Sequence, residues 1–126
     1  MRLLLDTHIL IWWATDDPKL AEPCRLLLLD QENDVYFSSI SIWEISIKFA
    51  KGTLNVSSDR LQRLCRLNGI KPLAFNDKHA VAAGSLPPHH HDPFDRALIA
   101  QAITEPMTLV SSDQWFRSYQ VSLLIF

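Results

Sequence analysis

The stretch Arg2-Leu3-Leu4-Leu5-Asp6-Thr7, near the start of the chain, is the most informative about the fold. Three consecutive leucines followed by Asp6 and Thr7 predict a short buried strand that ends at the acid and leads into a helix. Such short apolar strands, when they alternate with helices, indicate a parallel sheet covered by helices on both faces. The sequence therefore predicts an α/β protein with Asp6 at the carboxyl end of its first strand.

Further strands and helices alternate along the rest of the chain. The later predicted strands are Val35–Ser38, Ile70–Phe75, Met107–Val110 and Val121–Phe126. The predicted helices are Ser39 or Ser41 to Gly52, Ser58–Asn68, Asn76–Ser85, Pro93–Thr104 and a short turn Gln114–Tyr119. Pro72 interrupts the third strand and predicts an edge position, because proline cannot donate a ladder hydrogen bond. No linker or repeat divides the chain, so residues 1–126 are expected to form one domain.

Composition narrows the possible functions. The 126 residues are 48% hydrophobic and 21% charged, which excludes a disordered chain. With 12 Lys and Arg against 14 Asp and Glu, the net charge is -2, which argues against binding nucleic acid by bulk charge. The longest apolar run, Ile9–Ala14, is too short to span a membrane, and no secretory signal is recognisable. We therefore expect a cytoplasmic protein with no membrane association, in which Cys24 and Cys65 are buried thiols.

Four carboxylates stand where ligand sites of parallel sheets occur, near the carboxyl ends of strands. They are Asp6, Glu44, Asp95 and Asp113. Each has a structural alternative. Asp6 and Asp113 could cap the helices that follow them, and Glu44 could pair with Lys48 at a spacing of four residues. Asp92 and Asp95 begin a helix, where the helix dipole favours acids.

Together these acids would repel one another unless a cation lay between them. Oxygen ligands without cysteine suit the hard divalent ions Mg²⁺ or Mn²⁺ better than zinc. A divalent ion at such a site can lower the pKa of a bound water and so support hydrolysis of a phosphodiester. The run His89-His90-His91 is not expected to bind zinc, because three consecutive side chains cannot all face one ion.

Four motifs in order resemble those of PIN-domain ribonucleases, and especially VapC-type toxins of bacterial toxin-antitoxin pairs. They are Leu3-Leu4-Leu5-Asp6-Thr7-His8, Ser41-Ile42-Trp43-Glu44-Ile45, His91-Asp92-Pro93-Phe94-Asp95-Arg96-Ala97-Leu98-Ile99-Ala100 and Leu109-Val110-Ser111-Ser112-Asp113. The likeness runs from Arg2 to the last strand. It implies a three-layer α/β/α fold with a five-stranded parallel sheet, Mg²⁺-dependent cleavage of RNA, and a small cognate antitoxin that blocks the site.

The resemblance also implies roles for individual residues. Asp6 and Asp95 match the main metal ligands, and Glu44 and Asp113 match the other catalytic acids of the site. Supporting positions are Asp92, Ser111, Thr7, Arg96 and His91. His8 departs from the Asn that is common in the family, and Ser111 replaces the commoner Thr while keeping its hydroxyl.

Two other functions remain open from the sequence. An aspartate-based phosphatase would also place a nucleophile at Asp6, although the haloacid-dehalogenase type needs a second aspartate where this chain has His8. A non-catalytic PIN-like binding module would keep the fold for its partner surface. The adjacent Trp12 and Trp13 face different ways, which predicts that one of them contributes to a homodimer or antitoxin surface.

Overall fold

The computed structural model describes all 126 residues. The strands are β1 (Arg2–Leu5), β2 (Asp34–Ser38), β3 (Lys71–Leu73), β4 (Thr108–Ser111) and β5 (Leu123–Ile125). The helices are α1 (Thr7–Ala14), α2 (Glu22–Leu29), α3 (Ser39–Ala50), α4 (Ser58–Leu67), α5 (Asp77–Gly84) and α6 (Pro93–Thr104), with a 3₁₀ helix at Gln114–Ser118. None of these helices has the length and apolar character needed to cross a membrane.

All five strands are parallel, in the order β3-β2-β1-β4-β5. Leu3 in β1 pairs with Val35 in β2 on one side and with Thr108 in β4 on the other. From β1 the chain proceeds to one side of the sheet, whereas from β4 it proceeds to the other. A parallel sheet opens a crevice where its connections diverge in this way, here between the carboxyl ends of β1 and β4.

Alternate residues of β1 pack into two separate cores. Leu3 and Leu5 belong to one apolar cluster with residues of α1, α3 and α4, while Leu4 belongs to a second cluster with α6 and the 3₁₀ helix. All three leucines are fully buried. Burial of each such side chain contributes roughly 1.5–3 kcal/mol. The expected three-layer α/β/α arrangement with a five-stranded parallel sheet is confirmed.

The structure differs from the sequence prediction mainly between β1 and β2. Helix α2 was not predicted, because its four consecutive leucines, 26–29, give no clear helical periodicity and Ala21 at its N-cap makes no side-chain capping bond. Strands β3 and β5 are shorter than predicted, and β4 is shifted by one residue. The edge position of β3 is confirmed.

Both cysteines lie in the core. Cys24 and Cys65 are fully buried and unbonded to each other. Burial raises the pKa of the Cys24 thiol to about 11 and that of Cys65 to about 12. Because the thiolate is the reactive form, both behave as inert apolar side chains, as expected.

Candidate active site

Asp6 occupies the N-cap position of α1 but does not use its carboxylate as a cap. Its side chain makes no capping hydrogen bond to the helix and is almost completely buried, with 2% of the residue exposed. Its backbone is fixed by the N–H of Asp6 donating to the carbonyl of Val110 at 2.9 Å and by its carbonyl accepting from Leu10 at 3.0 Å. The capping alternative therefore does not explain why an acid stands at this position.

Ser111 and Asp113 bring the end of β4 to the same crevice. The Ser111 hydroxyl, fully buried, donates to Asp6 Oδ2 at 2.7 Å and accepts from the backbone N–H of Asp113 at 3.0 Å. Asp113 in turn accepts a capping hydrogen bond from the N–H of Trp115 at 2.9 Å. The structure thus places Ser111 beside Asp6 as a hydrogen-bond donor, and Asp113 follows as the cap of the 3₁₀ helix.

Glu44 reaches the crevice from α3, which starts at the end of β2. Only 9% of the residue is exposed, and one oxygen pairs with the ammonium of Lys48 at 3.2 Å. The other oxygen, Oε1, is buried and has no hydrogen-bond partner. The expected ion pair with Lys48 is therefore present, but it satisfies only half of this carboxylate. A hydrogen bond of 2.9 Å between the hydroxyls of Thr7 and Ser41 ties α1 to α3 at this point.

The remaining acid of the four, Asp95 of the third motif, lies in the first turn of α6. Asp92 is the N-cap of this helix and accepts from the N–H groups of Phe94 and Asp95 at 2.8 and 3.2 Å. The carboxylate of Asp95 is left free for other contacts, and its Oδ2 lies 2.7 Å from Nε2 of His90. Because an ionised carboxylate only accepts hydrogen bonds, His90 is the donor.

The sequence predicts His91 as the histidine that supports the acids, but the histidine in contact with Asp95 is His90. His91 is exposed, whereas the His90 side chain is only 22% exposed. A run of three histidines gives no local signal for which ring turns inward. The orientation is set by tertiary contacts, since the His90 ring also lies near-parallel to that of Trp115, with centroids 6.2 Å apart.

Arg96 contacts backbone carbonyls rather than the acids. Its guanidinium donates to the backbone carbonyls of Ala83, Leu86 and Pro87 at 2.9 to 3.0 Å. It forms no ion pair with any of the acids. Arg96 therefore fastens the segment before α6, and with it His90, to the helix.

Burial and mutual repulsion shape the charge of these acids. Burial raises the pKa of Asp6 above its ordinary value, and repulsion from Glu44 adds to this, while the hydrogen bond from Ser111 opposes it. Burial likewise raises the pKa of Asp95 to about 6, with further repulsion from Asp92 and Asp6 and an opposing hydrogen bond from His90. The chain therefore gathers negative charge in one place and compensates it incompletely.

These residues fit a hard divalent cation in their chemistry. The donors are carboxylate oxygens, one of which is buried and unpartnered on Glu44, and their charges repel. Oxygen ligands of this kind are preferred by Mg²⁺ and Mn²⁺. No three of the acidic, histidine or cysteine side chains converge at ligand distance in this structure. Asp95 contacts His90, and Glu44 contacts Lys48.

Comparison with known proteins agrees with the fold. A sequence model of the PIN domain family matches residues 3–121. Ribonuclease VapC22 of Mycobacterium tuberculosis is 26% identical over 125 residues, which cover 94% of this chain and 92% of the relative. The expected resemblance is thus confirmed, and the chain belongs to the PIN domain family.

Solved structures share the whole architecture. VapBC2 from Rickettsia felis, bound to a DNA fragment from its promoter, superimposes with a TM-score of 0.72 at 20% identity, covering 99% of this chain and 98% of the other. DNA-bound VapBC from Salmonella typhimurium superimposes with a TM-score of 0.73 at 15% identity, with coverage of 99% and 98%. At these identities the likeness shows the fold.

Proposed function

We propose that the protein is a Mg²⁺-dependent endoribonuclease that hydrolyses RNA phosphodiester bonds and acts as the toxin of a toxin-antitoxin pair. The observation that carries the proposal is the buried oxygen of Glu44 without a hydrogen-bond partner, in an acid whose charge repels that of the still more deeply buried Asp6. A stable fold rarely leaves a buried carboxylate oxygen unsatisfied, because its desolvation is costly. A divalent cation would satisfy it and relieve the repulsion from Asp6.

In this proposal Asp6, Glu44, Asp95 and Asp113 hold the metal and are the catalytic acids. A bound Mg²⁺ or Mn²⁺ would supply a water of lowered pKa as nucleophile and would neutralise charge on the phosphodiester. The positions of the four acids support this assignment, since Asp6 and Asp113 follow β1 and β4, Asp95 lies in the first turn of α6, and Glu44 lies in the middle of α3. The family's ribonuclease relative supports the same reaction class.

Neighbouring residues keep these acids in place. Ser111 fixes one oxygen of Asp6 by its hydrogen bond, and His90 fixes one oxygen of Asp95. Hydrogen bonds to ligating carboxylates of this kind commonly change metal affinity or activity by about 10- to 100-fold.

Cleavage of RNA by the purified protein tests this function. With total bacterial RNA as substrate, we expect new internal RNA ends in Mg²⁺ or Mn²⁺, none in EDTA, and none with the Asp6→Asn variant. Asp59→Asn is the matched control, because Asp59 is an exposed acid on α4 that pairs only with Arg63. Equal cleavage by Asp6→Asn and the unmodified protein would overturn the proposal.

The partner in this proposal is a cognate antitoxin protein. The similar solved structures are VapBC complexes, in which a VapC protein is assembled with VapB. Expression of the unmodified chain should arrest bacterial growth, and co-expression of the product of a neighbouring small gene should relieve the arrest. Expression of Asp6→Asn should cause no arrest; arrest by that variant would show that growth inhibition does not depend on the site.

A homodimer is also part of the proposal. Trp12 and Trp13 are both half-buried and pack against the first core cluster, so each keeps part of its ring available for a partner. Light scattering on the purified chain should give a mass near twice 14.4 kDa. A mass of a single chain at all concentrations would argue against this assignment.

A further inference from the structure

A cleft of about 510 Å³ adjoins the candidate active site. Its lining comes from two segments, the start of α1 and the turn that follows β4. The lining residues are His8, Trp12, Ser112, Asp113, Gln114 and Trp115. The cleft therefore shares Asp113 with the acidic crevice and is otherwise formed by aromatic rings and neutral polar side chains.

The aromatic rings of this cleft are available to a ligand. Trp115 is 64% exposed, which is unusual for so large an apolar side chain. His8, also exposed, lies beside Trp12 with ring centroids 6.0 Å apart. Aromatic rings in a cleft wall provide flat apolar surfaces on which a planar ligand can stack.

Trp115 is held in place despite its exposure. The ring lies near-parallel to that of His90, with an angle of 19° between their planes. Its backbone N–H donates to Asp113 Oδ1, and the N–H of Asp113 donates to the hydroxyl that also holds Asp6. A continuous set of hydrogen bonds thus fixes the position of Trp115 relative to the buried acid at the end of β1.

We infer that this cleft binds an unpaired nucleobase of the RNA substrate, with Trp115 as the residue on which the base stacks. A nucleobase is flat and neutral, so it is attracted to the rings without being repelled by the nearby acids. Base stacking on aromatic side chains is the general means of binding single strands with little sequence preference. Ser112 and Gln114 supply hydrogen-bonding groups for the edge of the base.

The inference rests on the proposed function, because it names a residue that would hold the RNA beside the site that cleaves it. The net charge of -2 gives this chain little affinity for RNA from bulk charge. Stacking contributes affinity that does not depend on charge.

Fluorescence anisotropy with a fluorescein-labelled eight-nucleotide single-stranded RNA tests the inference. The measurement is made in EDTA at low salt, so that it does not depend on cleavage. We expect Trp115→Ala to weaken binding by about 5- to 100-fold, the range given by loss of one stacked base, and Trp115→Phe to keep most of the affinity. The same RNA annealed into a blunt duplex should bind weakly and with no dependence on Trp115.

Trp43→Ala is the matched control, because Trp43 is 60% exposed, lies on α3 and does not line the cleft. Unchanged binding by Trp115→Ala, an equal loss in Trp43→Ala, or no saturable binding by the unmodified protein would each overturn the inference. Binding that depends on Trp115 in a protein that does not cleave RNA would support the cleft and refute the proposed ribonuclease function. Cleavage of RNA that is unaffected by Trp115→Ala would support the ribonuclease function and refute the role of the cleft.

Discussion

The hydroxyl of Ser111 donates a 2.7 Å hydrogen bond to the carboxylate of Asp6, although 105 positions separate the two residues in the sequence. The bond joins the ends of β1 and β4, the two strands between which the chain connections diverge. It fixes one oxygen of a buried acid and favours the ionised form of that acid. A metal ligand at this position needs both properties.

Replacement of Ser111 by alanine should therefore weaken the site. We expect Ser111→Ala to lower Mn²⁺ affinity and RNA cleavage by about 10- to 100-fold, because Asp6 loses its donor and its pKa rises further. Ser111→Thr keeps the hydroxyl and should retain most of both. Titration calorimetry and a cleavage assay measure the two quantities, and full activity in Ser111→Ala would show that the bond is not needed.

We expect Arg96 to stabilise the fold by holding the segment of residues 83–90 against α6. Arg96→Ala should lower the free energy of unfolding by about 1 to 3 kcal/mol, the range for lost hydrogen bonds to a charged group. Hydrogen exchange should increase in residues 83–90, whose carbonyls it holds. Arg66→Ala, on the exposed face of α4, is the control, and equal exchange in both variants would contradict this role.

The raised pKa of Asp95 predicts a dependence of stability on pH. The folded protein holds this proton with a pKa of about 6, against 3.8 for the ordinary side chain. The folded form therefore binds more protons than the unfolded chain between these values, so this group makes the free energy of unfolding fall as the pH rises from about 4 to 6. Above pH 6 the full penalty of the buried charge is present.

The Asp95→Asn variant removes that penalty. In EDTA it should be more stable than the unmodified protein at pH 8, by about 1 to 2 kcal/mol after allowance for its partial exposure, and should lose this advantage near pH 4. Urea unfolding at the two pH values measures the difference. Asp59→Asn should show no such dependence, and a constant difference for Asp95→Asn would show that the penalty lies elsewhere.

Bound metal should act in the opposite direction, since a ligand of the folded state stabilises it by mass action. We expect Mg²⁺ or Mn²⁺ at 100 times its Kd to raise the free energy of unfolding by about 2.7 kcal/mol at pH 8. At the same concentration of the ion, the gain in free energy of unfolding should be much smaller at pH 5, where Asp95 is largely protonated. Thermal unfolding with and without the ion measures it, and equal gains at both pH values would contradict the assignment of Asp95 as a ligand.

The sequence predicted the parallel sheet because β1 is too apolar for a strand with one solvent-exposed face. Pro72 indicated that β3 lies at the edge of the sheet. The sequence also placed Asp92 and Asp95 at the start of a helix and offered the pair of Glu44 with Lys48, since both depend on neighbours within four residues. Local spacing determines such contacts.

The sequence did not predict side-chain contacts that form only when the chain is folded. The choice of His90 over His91 depends on the ring of Trp115, and the use of Arg96 depends on carbonyls up to 13 residues away. Likewise, the unpartnered oxygen of Glu44 becomes visible only when the surrounding side chains are placed. These features arise from tertiary packing, which no periodicity in the chain encodes.

Mn²⁺ binding shows whether the acids at the ends of β1 and β4 hold a divalent cation. Electron paramagnetic resonance of free Mn²⁺ in a titration of the purified protein measures binding without reference to any RNA. We expect saturable binding that is weakened at least about 10-fold in Asp6→Asn and unchanged in Asp59→Asn. No saturable binding by the unmodified protein, or equal binding by Asp6→Asn, would contradict this expectation.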